Sequence, residues 1–446
     1  MGRKKKEGRG TLIKGAVIIA MGGLIAKLIG AVYRIPLTNL VGGEGIGLYQ
    51  LVYPFYCLLL TVSATGIPSS IATLTARKCA SGEDPKPLFK TCMRLFLGIG
   101  GALSVLMIVL APTLAKAQGE PRLTGGYYAL APSVFLVSAI SVFRGYFQGQ
   151  NKMFPTAVSE ITEQTVKVAV GLSVAYYFRT DVYHAVTALL LAVTVSETVA
   201  LIFLWIRFRR RPAPDKLLKT GERVGIFGIL KLSVPVTLSA CMIPLFGLLD
   251  SVLIVRLLKG YAENAVTLYG LFSGGAVTVI NLPVSICYGI AAASVPALSA
   301  AVKKGDRGRK KFVYSLLLTL GASVVAAVGV YYFADVAVRV LFRSLAEEEA
   351  TILIRLVKLF SVSAVTLSCT QTLSACLTAL GRPMRAAVAM ALAMGVKTVL
   401  NIVLLQKPEV GIYGAAIAAS VGYAVSFVLD FFFAMRATRK RKRKTA

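Results

Sequence analysis

The sequence predicts an all-α polytopic membrane protein with twelve transmembrane helices in two six-helix lobes and both termini cytoplasmic. Three observations carry this. The 446 residues are 56% hydrophobic and only 16% charged, with a mean hydropathy of +0.72; a soluble chain of this size carries about 25% charge. The apolar residues fall in blocks of roughly 20 or more, the length that crosses a hydrocarbon core about 30 Å thick. The lysines and arginines alternate between rich and poor loops along the whole chain.

The opening MGRKKKEGRGTLIKGAVIIAMGGLIAKLIG has the outline of a signal peptide. Its apolar stretch is long, it lacks a clear small-x-small cleavage site, and further spans follow, so it reads as an uncleaved first helix. Twelve spans are expected, at about 11–33, 46–66, 91–115, 127–147, 154–177, 182–206, 225–255, 266–292, 312–335, 350–377, 384–405 and 411–435. Of the 50 basic residues, 35 lie at or near the N-terminus, the C-terminus or every second connection, 11 lie at or near the other connections, and Lys14, Lys27, Lys167 and Lys397 lie deeper within spans. The excess of Lys and Arg marks the cytoplasmic side.

The net charge of +30 does not point to nucleic acid, because the basic residues sit in short runs between apolar segments without interleaved aromatics. The C-terminal RATRKRKRK reads as a topology anchor that touches anionic membrane lipids. The seven cysteines show no metal-ligand spacing and read as small buried hydrophobes. One histidine, His184, excludes a His-based metal site. No cofactor and no catalytic residue is expected.

The basic, proline-containing RFRRRPAPDKLLKTGERVG divides the chain. The expected organisation is an N-terminal lobe at 1–206, a cytoplasmic linker at 207–224, a C-terminal lobe at 225–436 and a basic tail at 437–446. The halves show traces of a repeat. GLYQLVYP in span 2 resembles TLYGLFSG in span 8, and QNKMFPTAVSEITEQTVKV set against LGRPMRAAVAMALAMGVKT aligns Lys152 with Arg382 and Lys167 with Lys397. With an even number of spans in each half, the copies run parallel.

Charges inside the spans carry the functional signal, because ionisable groups at membrane depth are costly and mark pathways or binding sites by default. In SEITEQTVKVAVG, Glu160, Glu163 and Lys167 share one face of span 5, about 10, 15 and 21 Å from its cytoplasmic start at ~1.5 Å per residue. Glu163 precedes Lys167 by four residues, the favourable order for a helical ion pair, so the two are expected to pair. Such a pair serves equally as a structural lock between helices. Lys397 reaches a similar depth in span 11, Lys27 and Arg34 share a face of span 1, and Asp250 lies in span 7. Gln50, Asn281, Gln371 and Asn401 add polar groups. The expected site is a central cavity lined by Lys27, Arg34, Gln50, Glu160, Glu163, Lys167, Asn281 and Lys397.

GGEGIG at 42–47 looks like a phosphate loop, but no Lys-Ser/Thr follows and no strand precedes it, so it reads as a turn. Glu347, Glu348 and Glu349 read as a solvated helix start.

KLIGAVYRIPLTNLVGGEGIGLYQLVYPFY, FRGYFQGQNKMFPTAVSEITEQTVKV and INLPVSICYGIAAASVPALSAAVKKGD together resemble the MOP superfamily of flippases, especially its polysaccharide-transport and stage V sporulation protein B branch. The resemblance implies two lobes in a V around a central cavity, as in MATE-type proteins, and alternating access. It implies a cargo of sugar linked to undecaprenyl diphosphate, carried across the bacterial cytoplasmic membrane. Lys27 stands like the span-1 basic residue of MurJ-type lipid II flippases, and Arg34 lies close to a second. The basic residues that MurJ-type proteins carry in spans 2 and 8 are replaced here by apolar and small ones, and the chain has twelve spans where many relatives have fourteen. Asp250 and Asn401 match part of a cation site for H+ or Na+ coupling, with Leu405 where another carboxylate would serve. The alternatives are a MATE-type cation-coupled multidrug antiporter and, more remotely, a membrane enzyme, which would need catalytic groups in loops that are short here.

Overall fold

Helix follows helix through the described residues of the computed structural model, which is 89% helical, and no strand occurs among them. The structure describes residues 2–64, 66–210, 226–303 and 309–438. Most of the linker expected at 207–224 and of the tail expected at 437–446 lies outside them.

The elements are α1 (Gly2–Ala64), α2 (Ile67–Ala80), α3 (Lys86–Ala117), α4 (Thr124–Gly149), α5 (Phe154–Tyr177), α6 (Val182–Arg209) and α7 (Ile226–Leu258). There follow α8 (Ala265–Gly270), a π-helical segment (Leu271–Ala276), α9 (Val277–Lys303), α10 (Arg309–Leu341), α11 (Glu347–Phe360), α12 (Val362–Ala379), α13 (Pro383–Leu405) and α14 (Tyr413–Thr438). Local chemistry sets several boundaries. Gly66, at φ 81°, takes the left-handed conformation that opens α2. Asp181 caps α6, accepting from the backbone N–H groups of Tyr183 and His184. The bonds from His184 hold its carboxyl below the usual carboxylate range. Glu347, Glu348 and Glu349 form the first turn of α11, where negative charge meets the positive end of the helix, and Arg339 grips Glu347 with two nitrogens at 3.0 and 2.6 Å.

Among the described residues nine helices are long and apolar enough to cross a membrane, or ten if α11 and α12, bent by 49°, count as one span. The difference from the expected twelve has two sources. α1 runs through two expected spans as one helix, kinked at Gly42 (φ 70°, ψ −175°), so the GGEGIG turn is a single-residue break. α5 is not among the nine, and it bears Glu160, Glu163 and Lys167.

The chain forms two compact units, residues 1–33 with 48–248 and residues 34–47 with 249–446. In the first, α4 is central and packs on α2, α3 and α6. Its apolar window is 72% buried, while that of the peripheral α3 is 22% buried. Ile71, Phe89, Phe96, Phe143, Phe147 and Leu204 form the core. In the second, α12 packs on α9, α10 and α14, and Phe312, Leu373, Leu377 and Ala434 are core residues. α10 leaves most of its apolar window exposed, with Val325, Tyr332 and Phe333 pointing outward. In a multi-pass membrane protein such faces meet lipid. Of the seven free cysteines five are buried, Cys57 is half-buried and Cys79 exposed.

Candidate functional site

In the first unit, α1 and α5 approach closely because α1 offers glycines. A side chain at Gly22 would meet Ala157 at 2.7 Å, and one at Gly30 would meet the Gln164 Oε1 at 3.1 Å. Gly23 lies 3.7 Å, measured in the same way, from the Glu160 carboxylate. Lys27 stands between Gly23 and Gly30 on this helix; its side chain lies outside the described residues. Gln50 is buried on the same helix, and Lys167 is buried on α5.

The expected Glu163–Lys167 pair is not what forms. Glu163 takes Arg144 of α4, whose Nη2 donates to Oε2 at 3.0 Å while its Nε donates to the Ser159 hydroxyl at 2.9 Å. The Gln164 side-chain amide holds the other oxygen of Glu163 at 3.2 Å. The reason is geometric. An ion pair along one helix joins two flexible side chains and contributes ~0.2–0.5 kcal/mol, whereas the planar guanidinium reaches across a hairpin and makes two directed bonds at once. α4 and α5 turn about Asn151, at φ 57°, which sets residue 144 opposite 159 and 163.

In the second unit, the Arg34 Nη1 donates to the Thr278 hydroxyl at 3.3 Å, one turn before Asn281 on α9. Lys397 on α13 is not an unbalanced charge. Its ammonium bonds Asp250 Oδ2, and the Asn401 Nδ2 donates to Oδ1 at 3.0 Å, so both oxygens of Asp250 are held by the chain's own donors. Residues 397, 401 and 405 share one face of α13, and Lys397, Asn401 and Leu405 are all buried. Asp250 and Asn401, expected as a cation site, thus hold an ammonium. The Oδ1 of Asn401 has no hydrogen-bond partner among the described residues. The predicted residues therefore divide: Lys27, Gln50, Glu160, Glu163 and Lys167 belong to the first unit, and Arg34, Asp250, Asn281, Lys397 and Asn401 to the second.

Two buried acids escaped the sequence reading. Glu197 of α6 is 2% exposed, and its two carboxyl oxygens are hydrogen-bonded to the Tyr56 and Ser133 hydroxyls. Asp430 of α14 is wholly buried and accepts from Ser374 at 2.8 Å, while its Oδ1 has no partner among the described residues. Both stand alone in apolar runs, VTVSETVALIF and SFVLDFFFAM, and a lone acid in such a run is the signal that would have found them. A cavity of about 1520 Å³ in the first unit, lined by Phe89, Phe143, Trp205, Lys86, Lys152 and Arg209 among others, was also not foreseen. Among the described residues no group of three His, Cys, Asp or Glu side chains is placed to hold a metal ion.

The family model described as "Polysaccharide biosynthesis protein" matches residues 12–302. The chain belongs to this family. Stage V sporulation protein B of Bacillus subtilis (strain 168) is 28% identical over 436 residues, covering 94% of this chain and 82% of that protein. Two solved structures share the fold of this family member. An inward-facing multidrug resistance MATE family transporter of the MOP superfamily superposes with a TM-score of 0.79 at 18% identity, covering 97% of this chain and 100% of that one. The lipid II flippase MurJ in an inward closed conformation gives 0.73 at 13% identity, covering 94% and 87%. The family match and these relatives bear out the resemblance to the stage V sporulation protein B and MurJ branch of the MOP superfamily.

Proposed function

We propose that the chain is a flippase that carries an oligosaccharide linked to undecaprenyl diphosphate across the bacterial cytoplasmic membrane by alternating access, through twelve spans with both termini cytoplasmic. One observation carries the choice of cargo. Two of the acids inside the helices are already neutralised by cations of the chain, Glu163 by Arg144 and Asp250 by Lys397. A carrier of organic cations needs such carboxylates for its cargo, because charge must be balanced where water is scarce. Arg34, by contrast, rests on the neutral Thr278 hydroxyl, and a guanidinium fork fits diphosphate oxygens. Lys27, seven residues earlier on the same helix, supplies a second basic group suited to phosphate. The match to the family described as "Polysaccharide biosynthesis protein" supports the same class of cargo.

Coupling at Asp250 and Asn401 would require H+ or Na+ to take the place of the Lys397 ammonium on Asp250. Lys86, Lys152 and Arg209, which line the cavity of the first unit beside Asp84, are suited to the headgroups of anionic membrane lipids. The second reading, a MATE-type cation-coupled multidrug antiporter, is favoured by the similarity of fold, which by itself specifies no cargo.

The test uses the purified protein in liposomes. It is expected to move an undecaprenyl-diphosphate sugar between leaflets, and Lys27→Ala or Arg34→Ala is expected to slow this roughly 10-fold or more, the loss of one charge-assisted contact of ~1.5–3 kcal/mol, with folding intact. Proton- or sodium-driven efflux of ethidium that neither substitution affects would establish the antiporter instead.

A further inference from the structure

We propose that Glu197, Ser133 and Tyr56 form a buried proton-binding site, a ring of three hydrogen bonds that closes only while the Glu197 carboxyl carries a proton. The three side chains come from three helices of the first unit: Tyr56 from α1, Ser133 from α4 and Glu197 from α6. Tyr56 and Ser133 contact different oxygens of the carboxyl, Oε1 and Oε2, and their own oxygens lie 3.3 Å apart. The three groups thus form a triangle with a contact along every edge.

A count of hydrogens decides the state. Three edges need three hydrogens, and the two hydroxyls own one each. If Glu197 is ionised, both hydroxyls turn to the carboxylate and the third edge becomes two oxygen lone pairs face to face. With a proton on Oε2, Glu197 donates to Ser133, Ser133 donates to Tyr56, and Tyr56 donates to Oε1. Each group then gives one bond and accepts one. The Ser133–Tyr56 edge is long for an O–H···O bond and is the weakest of the three. Nothing from bulk solvent completes the ring, because Tyr56, Ser133 and Glu197 are 2%, 0% and 2% exposed. A carboxylate so enclosed would carry the cost of a charge removed from water, offset only in part by two neutral hydroxyl donors.

Charged and titratable neighbours among the described residues come from α5 and α1. α5 packs along α6 and brings Glu163 and Lys167, whose fields act on Glu197 in opposite senses, and Glu163 is itself held by Arg144 of α4. α1 adds Tyr53 beside Tyr56. Hydroxyls are the groups that touch the carboxyl, and a hydroxyl can serve both protonation states by rotating. Proton loss breaks the edge between Ser133 and Tyr56, the one that ties α4 to α1, so the packing of these helices is linked to proton occupancy. The inference concerns the chemistry of the first unit alone and holds whichever cargo is carried. Asp430 makes a useful contrast, since its single bond to Ser374 closes no ring.

Infrared difference spectra of the full chain in lipid nanodiscs test the site directly. At neutral pH the wild type is expected to show a protonated-carboxyl C=O band that Glu197→Gln removes and Asp430→Asn leaves, and that converts to a carboxylate band in alkali. Ser133→Ala and Tyr56→Phe keep the carboxyl and each delete one edge, so both are expected to shift the frequency of that band. Removal of a carboxylate band rather than an acid band by Glu197→Gln at neutral pH would overturn the proposal. Should Glu197→Gln fail to fold, an acid band that neither Ser133→Ala nor Tyr56→Phe moves would overturn it equally.

Discussion

Arg144 stands near the C-terminal end of α4, where a basic residue is ordinary in a membrane protein, yet its guanidinium turns inward to Ser159 and Glu163. The side chains of Arg144 and Glu163 are 15% and 21% exposed, so each is costly to leave alone. Glu163→Ala is expected to lower stability by about 3 kcal/mol, the lower end for stranding one member of a buried pair, because some exposure remains. Adding Arg144→Ala should recover part of that loss, with a coupling energy of about 1–3 kcal/mol in a double-mutant cycle on the detergent-solubilised protein. Additive losses would mean that the two groups do not interact. The presence of a charge cluster on one face of α5 is legible in the sequence, since spacing along one helix fixes which residues share a face. Its partner is not, because it depends on where the α4–α5 hairpin turns. The same limit explains Lys397, whose partner Asp250 is far away in the chain.

At the scale of elements, GGEGIG shows what short motifs reveal and conceal. The bend is legible: Gly42 adopts φ 70°, a conformation that side chains other than glycine resist. The role of the glycines that follow is not, because it depends on a segment more than two hundred residues away. A Cβ on Gly47 would lie 2.2 Å from the Val266 carbonyl oxygen, and one on Gly270 would lie 2.3 Å from the Gly43 carbonyl oxygen and 2.6 Å from the Gly47 nitrogen. The obstructing atoms are backbone, which cannot rotate aside as a side chain does. This is helix packing through small residues, as membrane proteins use where hydrophobic burial gives no driving force between helices. Gly270→Ala is therefore expected to cost at least 2 kcal/mol, in the range for overpacking a tight contact, and to lower the Tm of the purified protein. Gly329→Ala in α10, where nothing lies within 4 Å of the new methyl group, is expected to leave Tm unchanged or raise it. Equal effects of the two would show that the α1–α8 approach is looser than described.

For the whole molecule, the sequence expectation and the helices meet on class and differ on count, and the difference is physical. Hydropathy finds spans that face lipid or a dry core, so it passes α3, α4 and α10 and misses α5, whose Glu160, Glu163 and Lys167 lower its apolar average. A helix that places its charges against protein or water can still cross a membrane, because only the lipid-facing side must be apolar. The charge bias of the loops is independent of hydropathy, and it alternates only if α5 crosses and α1 crosses twice. The bent pair of α11 and α12 must then cross once, a kinked span like those tolerated where neighbouring helices satisfy the backbone. Single cysteines in a Cys-free background discriminate these counts. Those at Glu120, Asp181, Glu263 and Lys407 are expected to react with an impermeant maleimide from outside intact cells, and those at Glu83, Lys152 and Arg382 only after permeabilisation. If α5 did not cross, Lys152 and Asp181 would label from the same side, and every loop from α6 onward would invert relative to this map. Agreement at Lys152 and inversion at Asp181 would locate the error in α5 alone, whereas inversion at Glu83 would locate it in the double crossing of α1.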